Sequence, residues 1–374
     1  QKAIDKAKLL ADVVIGLGHL GVDPSSSPWT SEEVIAHTSG FDAFIDGHSH
    51  TVMENKQVQD ASGKAVTLTQ TGSYFANVGE MTIAADGTIT TKLIPTHEGM
   101  DAGIAAMQTG WVNTVDDMLG EKIAVGDSDF YVSDPATGKR RIRSAETNLG
   151  DFVADGIYTY FNEVEKLHCD VAIMNGGGIR ADVPAGDWTF KTCKQVSPFG
   201  NVACLMSVTG KQIQDALEFA ARFAGTEKEN GGFLHVAGAS YEIHADIPNT
   251  VQTDEKNVWI GSATGTPRVQ NVKIYNKASG TYEPLDESKT YALAGMNYTL
   301  RNLGDGFAMF DGAELIKDYV SEDYLVMSTY AMIFDGADAA GLPHLSSANS
   351  PLAAYPGYLL NYEQPYGAGR ITIL

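Results

Sequence analysis

The sequence has no long hydrophobic run and contains little cysteine. Its richest apolar stretch, residues 324–334, is shorter than the about 20 residues that a transmembrane helix needs, so we expect no membrane span in this chain. Cys169, Cys193 and Cys204 are too few for a disulfide framework, and they leave the redox compartment open. A length of 374 residues exceeds what one compact core usually reaches. We therefore expect two domains, or one domain and part of another.

Positive charge is also scarce. The 26 lysines and arginines face 47 aspartates and glutamates, which gives a formal net charge of -21. Such a charge repels anions and argues against a broad basic surface for nucleic acid polymers. If the ligand is a phosphate ester, its attraction must be local and must come from metal ions or from a few arginines.

The first 50 residues alternate between patterns typical of helices and of buried strands. Periodicity and turn residues predict a helix over 2–11, a strand over 12–18, a helix over 30–38 and a strand over 41–47. This order is typical of a parallel or mixed layered sheet. Turn signals at 62–63 and 86–87 then predict hairpins.

The remainder reads as a linker helix followed by a self-contained domain. Helical periodicity returns over residues 101–119, and the spacing of Ser144 and its neighbours predicts another helix that continues towards Asn162. We predict strands over 169–175 and 202–208 and an amphipathic helix over 211–224. No convincing internal repeat or low-complexity tract is found.

Three histidines follow the two strands predicted near the N-terminus. His19 comes directly after the first strand, whereas His48 and His50 come after the second. Ligands of layered α/β sheets bind at the carboxyl ends of strands, so these imidazoles are candidate ligands of zinc or another first-row divalent ion. Three nitrogens do not complete a dinuclear site, which normally needs a bridging carboxylate. The alternative is that the histidines belong to a polar turn and a surface loop.

A triglycine turn with an arginine follows the strand that ends near Asn175. Residues 176–178 are glycines that allow positive φ and close approach to a ligand, and Arg180 can hold a phosphate or carboxylate through two hydrogen bonds. The spacing matches neither a P-loop nor a dinucleotide-binding fingerprint. A generic tight loop is the alternative.

Two aromatic residues on turns are candidates for binding a base. Phe199 and Tyr298 can sandwich a base, each stacking contact contributing about 1 to 3 kcal/mol, and Asp305 can accept hydrogen bonds from ribose hydroxyls. Taken singly, either aromatic is more often a core residue.

Five motifs in this order resemble the 5'-nucleotidase family over essentially the whole chain. They are GHSHT at 47–51, ETNLGDFVAD at 146–155, NGGGIR at 175–180, SPFGN at 197–201 and GDGF at 304–307. The family includes UDP-sugar hydrolases and 2',3'-cyclic-nucleotide 2'-phosphodiesterases. The resemblance implies a mixed α/β and α+β fold, in which part of a layered, calcineurin-like metallophosphoesterase domain precedes a 5'-nucleotidase C-terminal α/β domain. The implied boundaries are 1–100 for the first domain, 101–119 for the linker helix and 120–374 for the substrate-binding domain.

The resemblance also implies the functional residues. His19, His48 and His50 correspond to ligands of two divalent metal ions, zinc, manganese or similar. The residues implied to bind substrate are Arg143, Asn175, Gly177, Arg180, Phe199, Asn201, Tyr298 and Asp305. The spacing from Tyr298 to Asp305 is one residue longer than in the family's usual form, which puts Tyr298 in doubt.

A larger departure from the family concerns the front of the catalytic domain. The family's Asp-x-His motif, its bridging aspartate and its GNH segment are absent from this chain. We therefore expect the catalytic residues and the other metal ligands in a missing N-terminal portion of the same protein, and poor activity of this chain alone.

For the parent protein, the implied reaction is hydrolysis of nucleoside 5'-monophosphates to nucleoside and phosphate. The alternatives are a 2',3'-cyclic-nucleotide phosphodiesterase, a UDP-sugar hydrolase and a non-catalytic nucleotide-binding module. Family resemblance also implies an extracellular, cell-surface or periplasmic location.

Overall fold

The chain folds into two compact units, Gln1–Thr109 and Gly110–Leu374. The computed structural model describes residues 1–23, 26–95 and 99–374. Within these ranges no helix is both long enough and apolar enough to cross a membrane. The domain boundaries given above stay predictions.

The first unit contains a small layered sheet and a hairpin. Its elements are Lys2–Lys8 (α1), Ile15–Leu17 (β1), Ser31–Ala36 (α2), Ala43–Ile45 (β2), Val52–Gln59 (β3), Ala65–Thr71 (β4), Asn77–Ile83 (β5) and Ile89–Pro95 (β6). The sheet has the order β1-β2-β4-β3, with β1, β2 and β4 parallel and β3 antiparallel to β4. The strands β5 and β6 pair with each other as an antiparallel hairpin. The predicted alternation of helix and strand is confirmed, although β1 is shorter than predicted.

The predicted start of α2 is also confirmed. Thr30 accepts a hydrogen bond from the Glu33 backbone N–H, and the Glu33 carboxylate accepts one from the Thr30 N–H. This capping box satisfies backbone donors that the first turn leaves unpaired. The helix then packs Ile35 against Phe44 and Leu68 of the sheet in a small apolar core.

The second unit is built on a larger mixed sheet. The elements from residue 102 onward are Ala102–Leu119 (α3, which crosses the division between the units), Lys122–Gly126 (β7), Asn148–Thr159 (α4), Val171–Asn175 (β8), Gly186–Thr189 (β9), Phe190–Val196 (α5), Ala203–Thr209 (β10), Gly210–Ala220 (α6), Leu234–Ala237 (β11), Ala239–Ile243 (β12), Gln252–Thr253 (β13), Trp259–Gly261 (β14), Val269–Asn276 (β15), Thr281–Pro284 (β16), Thr290–Met296 (β17), Asn297–Leu300 (α7), Glu314–Lys317 (β18), Asp323–Met332 (α8), His344–Leu345 (β19) and Ile371–Ile373 (β20). The main sheet has the order β11-β8-β17-β10-β18, in which β8 and β17 are parallel. Smaller sheets have the orders β16-β15-β12-β20 and β19-β7-β9, and β13 pairs with β14.

Alternate residues of the main sheet enter two separate cores. Met174 of β8 packs in the core that contains Phe152 of α4, whereas its neighbour Ile173 packs in the core that contains Leu217 of α6. Successive strand residues point to opposite faces, so each face of the sheet is covered by a helix. The mixed α/β and α+β fold class is confirmed.

The helix predicted from Ser144 begins later than expected. Thr147 is the N-cap of α4, and its hydroxyl accepts a hydrogen bond from the Gly150 N–H at 3.1 Å. Glu146 has another role, because its carboxylate accepts hydrogen bonds from the backbone N–H groups of Arg370 and Ile371 at 2.9 and 2.8 Å. A contact with the far end of the chain therefore replaces the local capping pattern.

A buried ion pair connects α4 to the last residues of the chain. The guanidinium of Arg370 contacts Asp155 at 2.7 Å, and both side chains are fully buried. Tyr358 and Tyr362 donate further hydrogen bonds to the same carboxylate at 2.8 and 2.7 Å. Burial of this pair is tolerated because each charged group is hydrogen-bonded on several sides.

We expect Asp155→Ala to lower the free energy of unfolding by about 3 to 5 kcal/mol, because it leaves the buried Arg370 without its counter-ion. Lys122→Ala is the control, since it removes one partner of an exposed ion pair with Asp187 and should cost less than about 1 kcal/mol. Urea unfolding of both variants measures the difference. Equal stabilities would contradict the structural role of the buried pair.

Candidate functional site

The triglycine turn is a single 3-10 turn that directly follows β8. Residues 176–178 do not use the positive φ that glycine allows. Glycine is needed for close packing instead. A Cβ at Gly176 would lie 2.2 Å from the Ile142 carbonyl oxygen, and one at Gly178 would lie 2.5 Å from the Met174 methyl carbon.

Asp305 lies at the centre of the predicted substrate-binding residues. Its Oδ2 accepts a hydrogen bond from the Asn175 side-chain amide at 3.1 Å, and its Oδ1 accepts one from the Tyr298 hydroxyl at 3.0 Å. Asp305 itself has the left-handed φ of 55°, which belongs to the turn that presents its carboxylate. The structure thus brings Asn175, Tyr298 and Asp305 together.

The predicted arginines lie beside this group. Arg180 donates a hydrogen bond to the Gly177 carbonyl at 3.3 Å, and its guanidinium lies 5.7 Å from the centre of the Phe199 ring. Arg143 lies beside the same turn, since a Cβ added at Gly176 would lie 3.3 Å from its Cα, and its guanidinium forms an ion pair with Glu229 at 3.8 Å. Burial lowers the pKa of Arg143, as do the charges of Arg140 and Arg180, whereas Glu229 and Asp305 raise it.

Phe199 and Tyr298 are surface residues of the second unit. Their exposed fractions are 59% and 37%, so neither is a core aromatic. Asn201, two residues after Phe199, contacts α8 through its backbone: its N–H donates to Asp323 at 3.1 Å, and its carbonyl accepts from the Asp323 N–H at 2.8 Å. An exposed aromatic held on an anchored turn is suited to stacking on a ligand.

The sequence did not predict two segments that connect the candidate site residues. Asn297 exchanges hydrogen bonds with the Val202 backbone at 3.0 and 2.8 Å, which joins the Tyr298 segment to the segment after Phe199. The Gly231 carbonyl accepts a hydrogen bond from the Gly177 N–H at 2.8 Å. Asn297 adjoins a predicted site residue, but no local pattern signals a bond to a residue 95 positions away.

Two of the three predicted metal ligands are neighbours in the first unit. The rings of His19 and His48 have centroids 5.1 Å apart, whereas the His50 ring lies 6.1 Å from that of Tyr74. Asp46, which the sequence analysis did not single out, accepts hydrogen bonds from the N–H groups of Leu20 and Gly21 and so holds the loop after His19.

This pair fits only part of a metal site. In residues 1–23, 26–95 and 99–374, no group of three or more histidine, cysteine, aspartate or glutamate side chains is placed to hold a metal ion. The carboxylate of Asp46 is already engaged by backbone amides and by Gln70 at 3.1 Å. The two imidazoles therefore do not complete a metal site by themselves.

The second unit is an α/β domain that gathers arginines, exposed aromatics and an aspartate. Arginine can bind phosphate, and exposed aromatic rings can stack on bases. Comparison with known proteins identifies the family. The sequence-family model of the 5'-nucleotidase C-terminal domain matches residues 124–312, just over half of the chain. The chain belongs to the 5'-nucleotidase family.

Curated relatives carry related names. The chain is 29% identical over 325 residues to the trifunctional nucleotide phosphoesterase protein YfkN of Bacillus subtilis, a match that covers 84% of this chain and 20% of that protein. It is 26% identical over 362 residues to the 5'-nucleotidase of Rattus norvegicus, covering 88% of this chain and 58% of the relative. The chain thus spans well under two thirds of the length of these relatives.

Solved structures support the fold. The 5'-nucleotidase precursor of Thermus thermophilus aligns with a TM-score of 0.63 and 22% identity, over 100% of this chain and 66% of that one. A putative 5'-nucleotidase of Staphylococcus aureus aligns with the same TM-score and coverage at 18% identity.

Asp323 holds the turn of Phe199 through Asn201, and it should make the free energy of unfolding depend on pH. Burial raises the pKa of Asp323 to about 6 from its ordinary 3.8. The folded state therefore favours the protonated carboxyl, and its contribution to stability is present below pH 4 and lost as pH rises to about 6.

As pH rises from 4 to 7, the unfolding free energy of Asp323→Asn should increase by up to about 3 kcal/mol relative to that of the unsubstituted protein. The reason is that the amide does not ionise. Urea unfolding at several pH values measures this change, and a constant offset between the two proteins does not affect it. A difference that stays the same at all pH values would contradict the raised pKa.

Proposed function

We propose that this chain supplies the nucleotide-binding domain of a 5'-nucleotidase that hydrolyses nucleoside 5'-monophosphates to nucleoside and phosphate. The observation that carries the proposal is the meeting of Asn175, Tyr298 and Asp305, with Arg180 and Phe199 beside the same triglycine turn. These residues come from separate segments and were each implied by family resemblance.

The proposed roles follow from the chemistry of each group. Asp305 accepts hydrogen bonds from ribose hydroxyls, and the exposed rings of Phe199 and Tyr298 stack on the base. Arg143 and Arg180 attract the anionic end of the nucleotide. With Asn201 and Gly177 on the same turns, these residues bind and orient the substrate. The arginines supply local attraction that offsets the chain's net charge of -21.

Hydrolysis requires groups beyond those described here. We propose that His19 and His48 supply two nitrogen ligands to a divalent cation, zinc, manganese or similar, and that His50 serves a second one. Such ions would activate water and stabilise charge on the phosphoryl oxygens. The described residues complete neither site, so we expect this chain alone to bind nucleotides and to hydrolyse them poorly. An extracellular, cell-surface or periplasmic location also stays a prediction.

The proposed role of Asp305 separates one candidate substrate from the other two. A 2',3'-cyclic phosphate uses both vicinal hydroxyls of the ribose, so it has no hydroxyl donor for Asp305, whereas AMP and UDP-glucose keep both donors. Only a free diol can add O–H donors to the Asp305 carboxylate. The proposed role of Asp305 therefore favours a free ribose diol.

We expect Phe199→Ala to weaken AMP binding by about 5- to 100-fold through lost stacking. Arg180→Ala should weaken it by about tenfold or more through a lost charge-assisted hydrogen bond. Isothermal titration calorimetry with AMP measures both effects. Phe75→Ala and Lys273→Ala are matched controls, since they remove an exposed aromatic of the first unit and an exposed positive charge of β15. Unchanged affinity in both site variants would refute the assignment.

A further inference from the structure

In this structure the protein itself uses both oxygens of the Asp305 carboxylate. The Tyr298 hydroxyl donates to Oδ1 at 3.0 Å, and the Asn175 amide donates to Oδ2 at 3.1 Å. Gly231 lies near this carboxylate, since a Cβ added there would be 3.8 Å from Oδ1. A ribose diol that binds Asp305 therefore meets a carboxylate that is already engaged.

The two donors differ in how easily they can leave. Asn175 is 5% exposed and its amide also contacts the Gly231 carbonyl at 3.4 Å, so it is fixed within the domain. Tyr298 is 37% exposed, and its ring lies across Gly304, where an added Cβ would approach the ring atoms to 2.5 Å. Tyr298 is thus the partner that an incoming ligand can displace.

The phenol of Tyr298 remains a hydrogen-bond donor at neutral pH. Burial, and then the charge and hydrogen bond of Asp305, raise its pKa to about 12. Like a ribose hydroxyl, it offers an O–H to the carboxylate. The tyrosine hydroxyl and the diol therefore make the same kind of bond to the same acceptor.

We propose that Tyr298 is a specificity-determining residue whose hydroxyl competes with the vicinal hydroxyls of the nucleotide ribose for Asp305. This inference rests on the proposed function. The competition reduces the advantage that a ribonucleotide has over an analogue without the diol, because only the ribonucleotide must first displace the phenol.

The test removes the phenol hydroxyl and retains the ring. We expect Tyr298→Phe to bind AMP about fivefold more tightly, because the competing hydrogen bond is lost, and to bind 2',3'-dideoxy-AMP with unchanged affinity. Isothermal titration calorimetry of both ligands with both proteins gives the four dissociation constants. Tyr131→Phe is the matched control, since it removes another tyrosine–aspartate hydrogen bond, to Asp129 at 3.0 Å.

The outcomes separate this inference from the proposed function. If the unsubstituted protein binds AMP and Tyr298→Phe binds it equally or more weakly, the competition is refuted while the nucleotide site stands. An equal gain for AMP and the dideoxy analogue also refutes the competition, because the gain then does not depend on the diol. If neither protein binds AMP, both the inference and the proposed function fail.

Discussion

The carboxylate of Asp305 accepts one hydrogen bond from Tyr298, seven residues earlier in the chain, and one from Asn175, 130 residues earlier, and the candidate site depends on this arrangement. The sheet explains why the segments meet. Asn175 ends β8, Tyr298 follows the end of β17, and these strands are parallel neighbours, so both ends reach the same edge. The strand β10 runs antiparallel to β17 and starts at Ala203, opposite Met296, which brings the turn of Phe199 to that edge as well.

Much of the fold follows from local sequence, and the exceptions have identifiable physical causes. The capping box at Thr30 and the apolar periodicity of α6 depend on near neighbours, and the structure confirms both elements. The predicted start of α4 is wrong, because the Glu146 carboxylate accepts a hydrogen bond from the Arg370 backbone N–H and is not part of a local capping pattern. The glycines of the triglycine turn do not adopt positive φ and instead avoid clashes, among them one with Ile142. Such long-range contacts leave no local pattern.

The two predicted constellations differ in how complete they are. The predicted substrate-binding residues all lie in the second unit. Hydrogen bonds connect their segments, including those of Asn297, which was not predicted. In the first unit, Asp46 fixes the loop after His19 and the His19 ring lies beside that of His48, which gives a pair of imidazoles. The described residues therefore support the proposed nucleotide site more fully than the proposed metal site.

The central claim is that one edge of the main sheet in the second unit binds a nucleoside monophosphate. A crystal structure of the protein with AMP tests this most directly. We expect the base against Phe199, the ribose hydroxyls on Asp305 and the phosphate on the side of Arg180. AMP bound with full occupancy elsewhere, with these three residues free of ligand, would contradict it.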